Sequence, residues 1–238
     1  MKVVLSIVGC ISLFSCNHIP EAILAANTER VDTLDVTEYT FVIDKKNRRG
    51  YVTTDREVMD GTYVITREGE VIEQLNITGG FLNGELIRYY ENGQPEAIET
   101  YKTSVQHGPT TSFYRNGAIR SESSFDNGVE NPESVSYHED GSVSHRVVVT
   151  DGVRYEHEYR NGNRISSMFE KEIDGKTFQI MMMYDDFGTV QLIMGTRGNG
   201  EIPEVYIFDN EFNEVEHFNM QDDPLRAQEF LAFMQQYF

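Results

Sequence analysis

Apolar and polar residues alternate along most of the chain, in short segments that end at Asn-Gly or Asp-Gly pairs. The stretch YYENG, residues 89–93, is followed further on by FYRNG, YHEDG and EYRNG. A strand, an Asn-Gly or Asp-Gly pair and a second strand form a strong hairpin signal, because both central residues of a type I′ turn need a positive φ. The pattern therefore predicts a series of antiparallel β-hairpins.

The glycines of these turns recur at a nearly constant interval of about 24 residues. They are Gly69, Gly93, Gly117, Gly141, Gly162 and Gly188. A second series precedes each of these glycines by 8 to 13 residues and predicts a second turn in each unit: Gly61, Gly84, Gly108, Gly128, Gly152 and Gly175. Each unit should therefore contain two strands and two turns, and each should contact mainly its neighbours.

The paired aromatic residues before the turns contribute to two rows, since consecutive residues of a strand point to opposite faces. The first row is Tyr89, Phe113 and Tyr137, and the second is Tyr90, Tyr114 and Tyr159. Three arginines interleave with the second row: Arg88, Arg115 and Arg160. If the second row is exposed, it forms a candidate binding surface, because Tyr and Arg are enriched in interface hot spots. Packing between units is the alternative role.

The last segment, DDPLRAQEFLAFMQQYF, carries the signals of an amphipathic helix over residues 221–238. Asp223 is a suitable N-cap and Pro224 fits the first helical position. Apolar residues follow at helical spacing: Phe230, Phe233, Met234, Tyr237 and Phe238. We expect this stripe to pack on the last hairpins and cap the sheet. A docking helix for a partner is the alternative.

The N-terminus predicts export. Lys2 precedes an apolar run, residues 3–14, that is shorter than the about 20 residues needed to span a bilayer. Its end, LFSC, resembles the bacterial lipobox, which implies a signal peptide over residues 1–16 and lipidation of Cys16. Residues 17–38 would form a tether to a repeat domain over residues 39–220. A non-cleaved anchor and cleavage near residues 25–26 are the alternatives.

Composition narrows the functional classes. The 238 residues carry a formal net charge of −19, which disfavours nucleic acid and anionic lipid headgroups as partners. Membrane association would therefore depend on the lipid anchor alone. Cys10 lies in the export segment and Cys16 at the lipidation site, so the mature protein would keep no thiol for a disulfide or for catalysis.

Two stretches of the chain resemble a known repeat. GELIRYYENGQPEAIETYK and GPTTSFYRNGAIRSESSFDNG look like the MORN-repeat variant of bacterial proteins in the YwqK-like antitoxin family. The match is best over residues 84–127 and extends more weakly over about residues 60–190. The resemblance implies a mainly β, MORN-like sheet of antiparallel hairpins. Such repeats serve as interaction surfaces, and the family label implies an immunity-type or antitoxin-like protein as an alternative function.

Motifs for catalysis, metal ions or cofactors are not evident. The six histidines follow no HExxH or HxH spacing, and the acidic stretches at residues 185–186 and 209–214 lack the pattern of a calcium loop. Glu156 and Glu158, with Glu139 and Asp140, would also need a cleft to act as a catalytic acid pair. We therefore expect a non-enzymatic lipoprotein of the bacterial cell envelope that binds an unidentified protein. In a Gram-negative cell it would lie on the periplasmic side, at the outer membrane. An envelope hydrolase is the third hypothesis.

Overall fold

The computed structural model describes residues 31–197 and 204–235. The strands in chain order are β1 (Val31–Asp35), β2 (Tyr39–Ile43), β3 (Arg49–Thr53), β4 (Gly61–Arg67), β5 (Glu70–Thr78), β6 (Phe81–Tyr89), β7 (Pro95–Lys102), β8 (Val105–Phe113), β9 (Ile119–Asp126), β10 (Val129–Glu130), β11 (Ser134–Tyr137), β12 (Val143–Thr150), β13 (Val153–Arg160), β14 (Asn163–Ile173), β15 (Lys176–Tyr184), β16 (Val190–Arg197), β17 (Glu204–Phe208) and β18 (Glu214–Asn219). One helix, α1 (Pro224–Met234), follows. The predicted signal peptide with Cys16, and the tether up to residue 30, lie outside the described residues.

Sixteen of these strands form one sheet, and most of them pair with their neighbours along the chain. From β4 to β18 the pairing is antiparallel, with β11 beside β9 and the short β10 also attached to β9. Strands β2 and β3 form a separate hairpin. The predicted fold class, a mainly β sheet of antiparallel hairpins followed by a helix, is therefore confirmed.

Strand β1 changes the predicted boundary between tether and sheet. Val31–Asp35 pairs in parallel with residues 62–66 of β4, and the Val36 amide donates to the Thr66 carbonyl at 2.8 Å. The end of the predicted tether, residues 17–38, is thus part of the sheet. A parallel edge strand has no hairpin turn beside it in the sequence, so the local turn signal could not reveal it.

The turns at four of the predicted glycines have a different geometry from the expected one. Gly93 N donates to the Tyr90 carbonyl and Tyr90 N donates to the Gln94 carbonyl, both at 2.9 Å. Only the glycine of each loop has a positive φ, between 77° and 84°: Gly93, Gly117, Gly141 and Gly188. The type I′ prediction is wrong here, because these are three-residue loops that close with a left-handed glycine.

The hairpins at the other two predicted turn glycines, Gly69 and Gly162, use two-residue turns in which both residues have a positive φ. Glu68 and Gly69 adopt φ values of 54° and 88°, and Asn161 and Gly162 adopt 51° and 79°. The same geometry recurs at the opposite ends of the strands: residues 79–80, 103–104, 127–128, 151–152 and 174–175. The type I′ expectation fits these positions.

Gly84 and Gly108 do not form the turns that the second glycine series predicts. They lie inside β6 and β8 with φ values of 111° and 114°. The strand register shifts opposite each of them, beside Asn76 and Thr100. Each glycine therefore forms a bulge, where a residue without Cβ allows the backbone to bend.

The N-terminal end of the sheet has its own hydrophobic core. Side chains of β4, β5 and β6 pack beneath the β2–β3 hairpin and the loop that follows it. Met59 and Ile65 are fully buried in this cluster, and Leu75 is 1% exposed. Residues 39–53, which the prediction assigned to the repeats, thus form a separate layer over the first repeat strands.

The C-terminal end is apolar on both faces. On one face Phe178, Ile180 and Phe208 belong to a buried cluster, and on the other Val205 and Phe218 pack with residues of α1. Tracing paired residues across the sheet puts α1 and the β2–β3 hairpin on the same face. We call this the helix face, and we call the other the cleft face.

Helix α1 contacts the sheet as the amphipathic pattern predicts. The Asp223 side chain accepts from Arg226 N at 3.1 Å, and Pro224 is the first helical residue. Phe230 packs edge-on against Phe218 at 5.6 Å between ring centroids, and Met234 joins the same cluster. Two other predicted stripe residues, Tyr237 and Phe238, lie outside the described residues.

Between the two cores the sheet is a single layer. Of residues 95–160, only Ala97, Ser112 and Val147 are buried. The central hairpins therefore owe their stability mainly to backbone pairing and contacts between neighbouring units. Both faces of the central sheet remain accessible.

Candidate functional site

Two tyrosines of the predicted binding row join neighbouring units. The Tyr90 hydroxyl donates to the Phe113 carbonyl at 2.7 Å, and the Tyr114 hydroxyl donates to the Tyr137 carbonyl at 2.6 Å. The two contacts are equivalent in consecutive units. Both side chains are half-buried. Tyr90 and Tyr114 therefore fit the alternative role of this row, which is packing between units.

Tyr159 does not continue this row. It lies within β13 and pairs with Arg164, whereas Tyr90 follows the end of β6. The turn after Tyr159 has two residues and the turn after Tyr90 has three, so the strand positions shift by one residue. Such a shift moves a side chain to the other face.

The predicted arginines are also separated from one another. Arg115 lies over the Tyr90 ring at 5.3 Å from its centroid, and Arg160 is exposed at the end of β13. Arg88 forms an ion pair with Glu99 on the helix face. The structure therefore does not bring the six predicted residues into one surface.

The ion pair of Arg88 belongs to a polar cluster beside the N-terminal core. The Tyr101 hydroxyl donates to Glu99 at 2.9 Å, and burial raises the pKa of the nearby Glu73 carboxyl. Burial and the Glu73 charge raise the pKa of Tyr39 to about 12. These groups have partners within the fold, which indicates a structural role for the cluster.

The other aromatic row lies on the cleft face. Tyr89, Phe113 and Tyr137 are half-buried. Each lies opposite an apolar residue of the next strand: Pro95, Ile119 and Val143, respectively. We call these six residues the apolar row. The Tyr137 hydroxyl donates to Glu122 at 2.6 Å, and Ile119 is 39% exposed. The row therefore presents apolar side chains on a face without a covering layer in this region.

The acidic candidates hold turns or face other side chains. Asp185 accepts backbone N–H bonds from Phe187 and Thr189 at 2.9 Å, and Asp209 accepts from Glu211 and Asn213 at 2.9 Å. The pKa of the Asp209 carboxyl is lowered, mainly by a hydrogen bond from the Asn213 side chain and further by these backbone hydrogen bonds. Among the described residues, no group of three or more His, Cys, Asp or Glu could hold a metal ion.

A cleft of about 260 Å³ lies on the cleft face of β13, β14 and β15. We call it the β13–β15 cleft. Its apolar walls include Tyr155, Phe169 and Phe212. Tyr155 and Phe169 are 4.9 Å apart between centroids, and Phe212 meets Phe169 edge-on at 6.2 Å. Phe212 comes from the β17–β18 turn, so curvature of the sheet brings it to β14.

The floor of the cleft is a chain of polar groups. His157 Nδ1 lies 2.8 Å from Ser167 Oγ, which lies 3.2 Å from the Tyr184 hydroxyl. Ser167 is only 2% exposed. Burial, followed by the charges of Arg164 and Arg146, lowers the pKa of His157, so the imidazole is neutral at neutral pH.

Two cations complete the cleft. The Arg164 guanidinium lies over the Tyr184 ring at 4.3 Å, and Lys171 Nζ lies over the Phe212 ring at 4.6 Å from the centroid. Phe212 has a φ of 64°, which is an outlier for a bulky residue. Packing on Phe169 and Lys171 holds the ring in place despite this backbone strain.

Sequence reasoning missed most of this cleft. The histidines follow no metal-binding spacing, so His157 carried no functional signal, and Arg164, Ser167 and Tyr184 were not singled out. One local signal was present, since Ser166 and Ser167 interrupt an apolar strand and both are buried. The contribution of Phe212 had no local signal, because it depends on curvature over four strands.

Comparison with protein families identifies a MORN repeat variant in two segments, residues 82–103 and 106–127. Each segment begins within a strand that contains a bulge glycine and spans one three-residue hairpin. The predicted similarity to MORN repeats is thus confirmed over these residues, and it suggests a binding or scaffold module. No curated protein matches the chain. The part of the chain that the structure describes contains no helix with the length and hydrophobicity of a membrane span.

Proposed function

We propose that this chain is a non-enzymatic lipoprotein of the bacterial cell envelope whose repeat sheet binds a protein partner. The observation that carries the proposal is the apolar row, which extends across β6 to β12 on an uncovered part of the cleft face. The similarity of residues 82–127 to MORN repeats supports a binding or scaffold module.

The spacing of the row suits a protein partner. Neighbouring strands lie about 4.8 Å apart, so aromatic residues of consecutive units, two strands apart, are separated by about 10 Å. Three such anchors extend over a length typical of a small protein interface and too long for one small ligand. Aromatic residues also lose little side-chain entropy on binding, which favours them as hot spots.

The charge of the chain indicates the chemistry of the partner. With 39 acidic and 20 basic residues, the sheet would attract a partner that surrounds its apolar anchors with Lys and Arg. Complementary charge would accelerate association and make it sensitive to salt. We therefore expect a basic protein surface on the apolar row.

Site-specific photo-crosslinking would test this assignment. Benzoylphenylalanine placed at position 113 in the living cell should give a discrete crosslinked product, because Phe113 is central in the row. The matched control is the same residue at position 123, on the helix face of the adjacent strand. Equal crosslinking at both positions would contradict a partner surface on the cleft face.

The captured partner should then be tested with purified variants. Phe113→Ala should weaken binding about tenfold, as expected for one hot-spot residue. Tyr114→Phe should leave binding unchanged, since it removes only the hydroxyl that donates to Tyr137, at a stability cost of about 0.5–1.5 kcal/mol. Weaker binding by the second variant alone would assign the surface to the other row.

The envelope location depends on Cys16. Several acyl chains on this cysteine would give stable anchoring, whereas a single chain gives only reversible binding. Cys16→Ser should therefore abolish incorporation of labelled palmitate and release the protein from membranes. Cys10→Ser is the matched control, because this cysteine lies inside the apolar run and should not affect labelling. Continued labelling of Cys16→Ser would exclude the lipoprotein assignment.

A second candidate function is neutralisation of a toxin that enters the envelope. The net charge of −19 favours it, because an acidic surface binds and blocks a basic enzyme. The resemblance to antitoxin-family repeats also supports a toxin-neutralising role. Growth protection against one basic envelope toxin, lost in Phe113→Ala, would favour this role over a scaffold.

A further inference from the structure

The β13–β15 cleft has features that protein binding by the apolar row does not require. It lies on β13 to β15, beyond the row, which ends at β12. It combines a buried polar floor, aromatic walls and two cations in a volume of about 260 Å³. This volume is slightly below the range of drug-sized ligand sites, about 300–1,000 Å³, and therefore suits a small ligand.

The charge of the cleft is opposite to that of the chain. Arg164 and Lys171 line it, and none of its lining residues is Asp or Glu, although acids outnumber bases almost twofold in the sequence. Each cation is held over an aromatic ring, which fixes its position at little further entropic cost. A local excess of positive charge in a partly enclosed site favours an anion.

The aromatic walls and the polar floor of the cleft indicate the chemistry of the uncharged part of the ligand. Phe169 and Phe212 meet edge to face, and Tyr155 lies against Phe169, so the walls offer aromatic surface to a planar body. Ser167 holds the His157 ring through a 2.8 Å hydrogen bond, and Tyr184 extends the polar chain. An inorganic anion would meet the cations and leave the aromatic walls unused.

We propose that the β13–β15 cleft binds a small organic carboxylate with an aromatic or similarly planar body. The carboxylate would pair with Arg164, beside Ser167 and Tyr184, and the planar body would pack on Phe169 and Phe212. Lys171 lies seven residues further along the same strand, so it would add positive potential without contacting the same carboxylate. The left-handed backbone of Phe212 fits this role, because strain of this kind is retained where the surrounding structure fixes a binding group.

Calorimetric titration of the full chain with three probes would test the proposal. We expect 2-naphthoate to bind at least about tenfold more tightly than neutral 2-naphthamide, because only the carboxylate can make a charge-assisted contact with the guanidinium. Inorganic phosphate should bind more weakly than 2-naphthoate. Raising the salt concentration should weaken only the charged ligands.

The outcomes separate the components of the site. Equal binding of 2-naphthoate and 2-naphthamide would contradict the anion preference, and equal binding of phosphate and 2-naphthoate would contradict the aromatic component. Absence of 2-naphthoate binding would overturn the proposal. None of these results depends on the apolar row, so they leave the proposed protein-binding function intact.

Variants would locate the binding. Arg164→Gln should weaken 2-naphthoate binding about tenfold, and Arg164→Lys should retain part of the affinity. Lys171→Gln should weaken binding less, because Lys171 acts only through its more distant charge. The matched control is Lys176→Gln, at an exposed position of the same hairpin that does not line the cleft. Melting temperatures would verify folding, and equal affinity of the Arg164→Gln and Lys176→Gln variants would place the ligand elsewhere.

Discussion

Replacing Ile65 or Ile180 with alanine is expected to destabilise the protein by about 2–5 kcal/mol. Ile65 is fully buried in the N-terminal core, and Ile180 is 1% exposed in the C-terminal core. Each substitution removes well-packed methyl groups and leaves a cavity that the rigid sheet cannot fill. Chemical denaturation followed by circular dichroism would measure the loss in the free energy of unfolding.

Ile98→Ala is the matched control for both variants. It makes the same chemical change in β7, in the central sheet, where Ile98 is only half-buried. We expect its cost to stay below about 1 kcal/mol, since a partly exposed side chain leaves no closed cavity. Equal destabilisation at the three positions would contradict a sheet with two end cores and a single central layer.

Hydrogen exchange should extend this test to the coupling between the two ends. In a repeat architecture each unit contacts mainly its neighbours, so local defects need not spread. Ile180→Ala should reduce amide protection in β14 to β17 and leave β4 to β6 protected. Loss of protection along the whole sheet would indicate one cooperative unit.

Replacing Gly108 with alanine is expected to destabilise the protein by about 1–3 kcal/mol. Gly108 has a φ of 114°, and an added Cβ would lie 3.1 Å from Thr100 Cβ and 3.2 Å from Thr100 Cγ2. Backbone strain and crowding therefore add. Thermal and chemical denaturation would measure the effect, which we expect also at the equivalent Gly84.

Two controls separate these contributions. Gly50→Ala should be nearly neutral, because Gly50 has no positive φ and its Cβ would meet Val42 Cγ2 at an acceptable 3.4 Å. Thr100→Ser removes Cγ2 but retains the hydroxyl that donates to the Pro109 carbonyl. If crowding contributes, this change should partly restore Gly108→Ala. Wild-type stability of Gly108→Ala would contradict a bulge that requires glycine.

Local sequence signals were sufficient to predict the hairpin repeat and the C-terminal helix. The turn at Gly93 could be located because the requirement for a left-handed residue is met by a few residue types within a short segment. The apolar stripe with Phe230 and Met234 likewise predicted a helix that packs on the sheet. The sequence could not distinguish the turn at Gly93 from the bulge at Gly84, because a turn and a bulge both place glycine at a positive φ.

The repeat period did not show which residues share a face of the sheet. Tyr90 and Tyr159 have the same distance to their turn glycine, but a three-residue and a two-residue loop place them differently. A one-residue difference exchanges the two faces of a strand. The assignment of the binding row therefore needed the register of the strands and the hydrogen bond from Tyr90 to Phe113.

The sequence by itself determined the hairpin repeat, its period and the amphipathic helix, because these follow from turn chemistry and from alternation within a few residues. Only the tertiary structure decided that β1 joins β4, that Tyr89 and Phe113 face an uncovered surface, and that Phe212 closes a cleft beside Ser167. The physical reason is the distance along the chain between the residues that interact. Contacts between residues that are distant in the chain depend on strand register and sheet curvature, and these are set by the packing of the whole sheet.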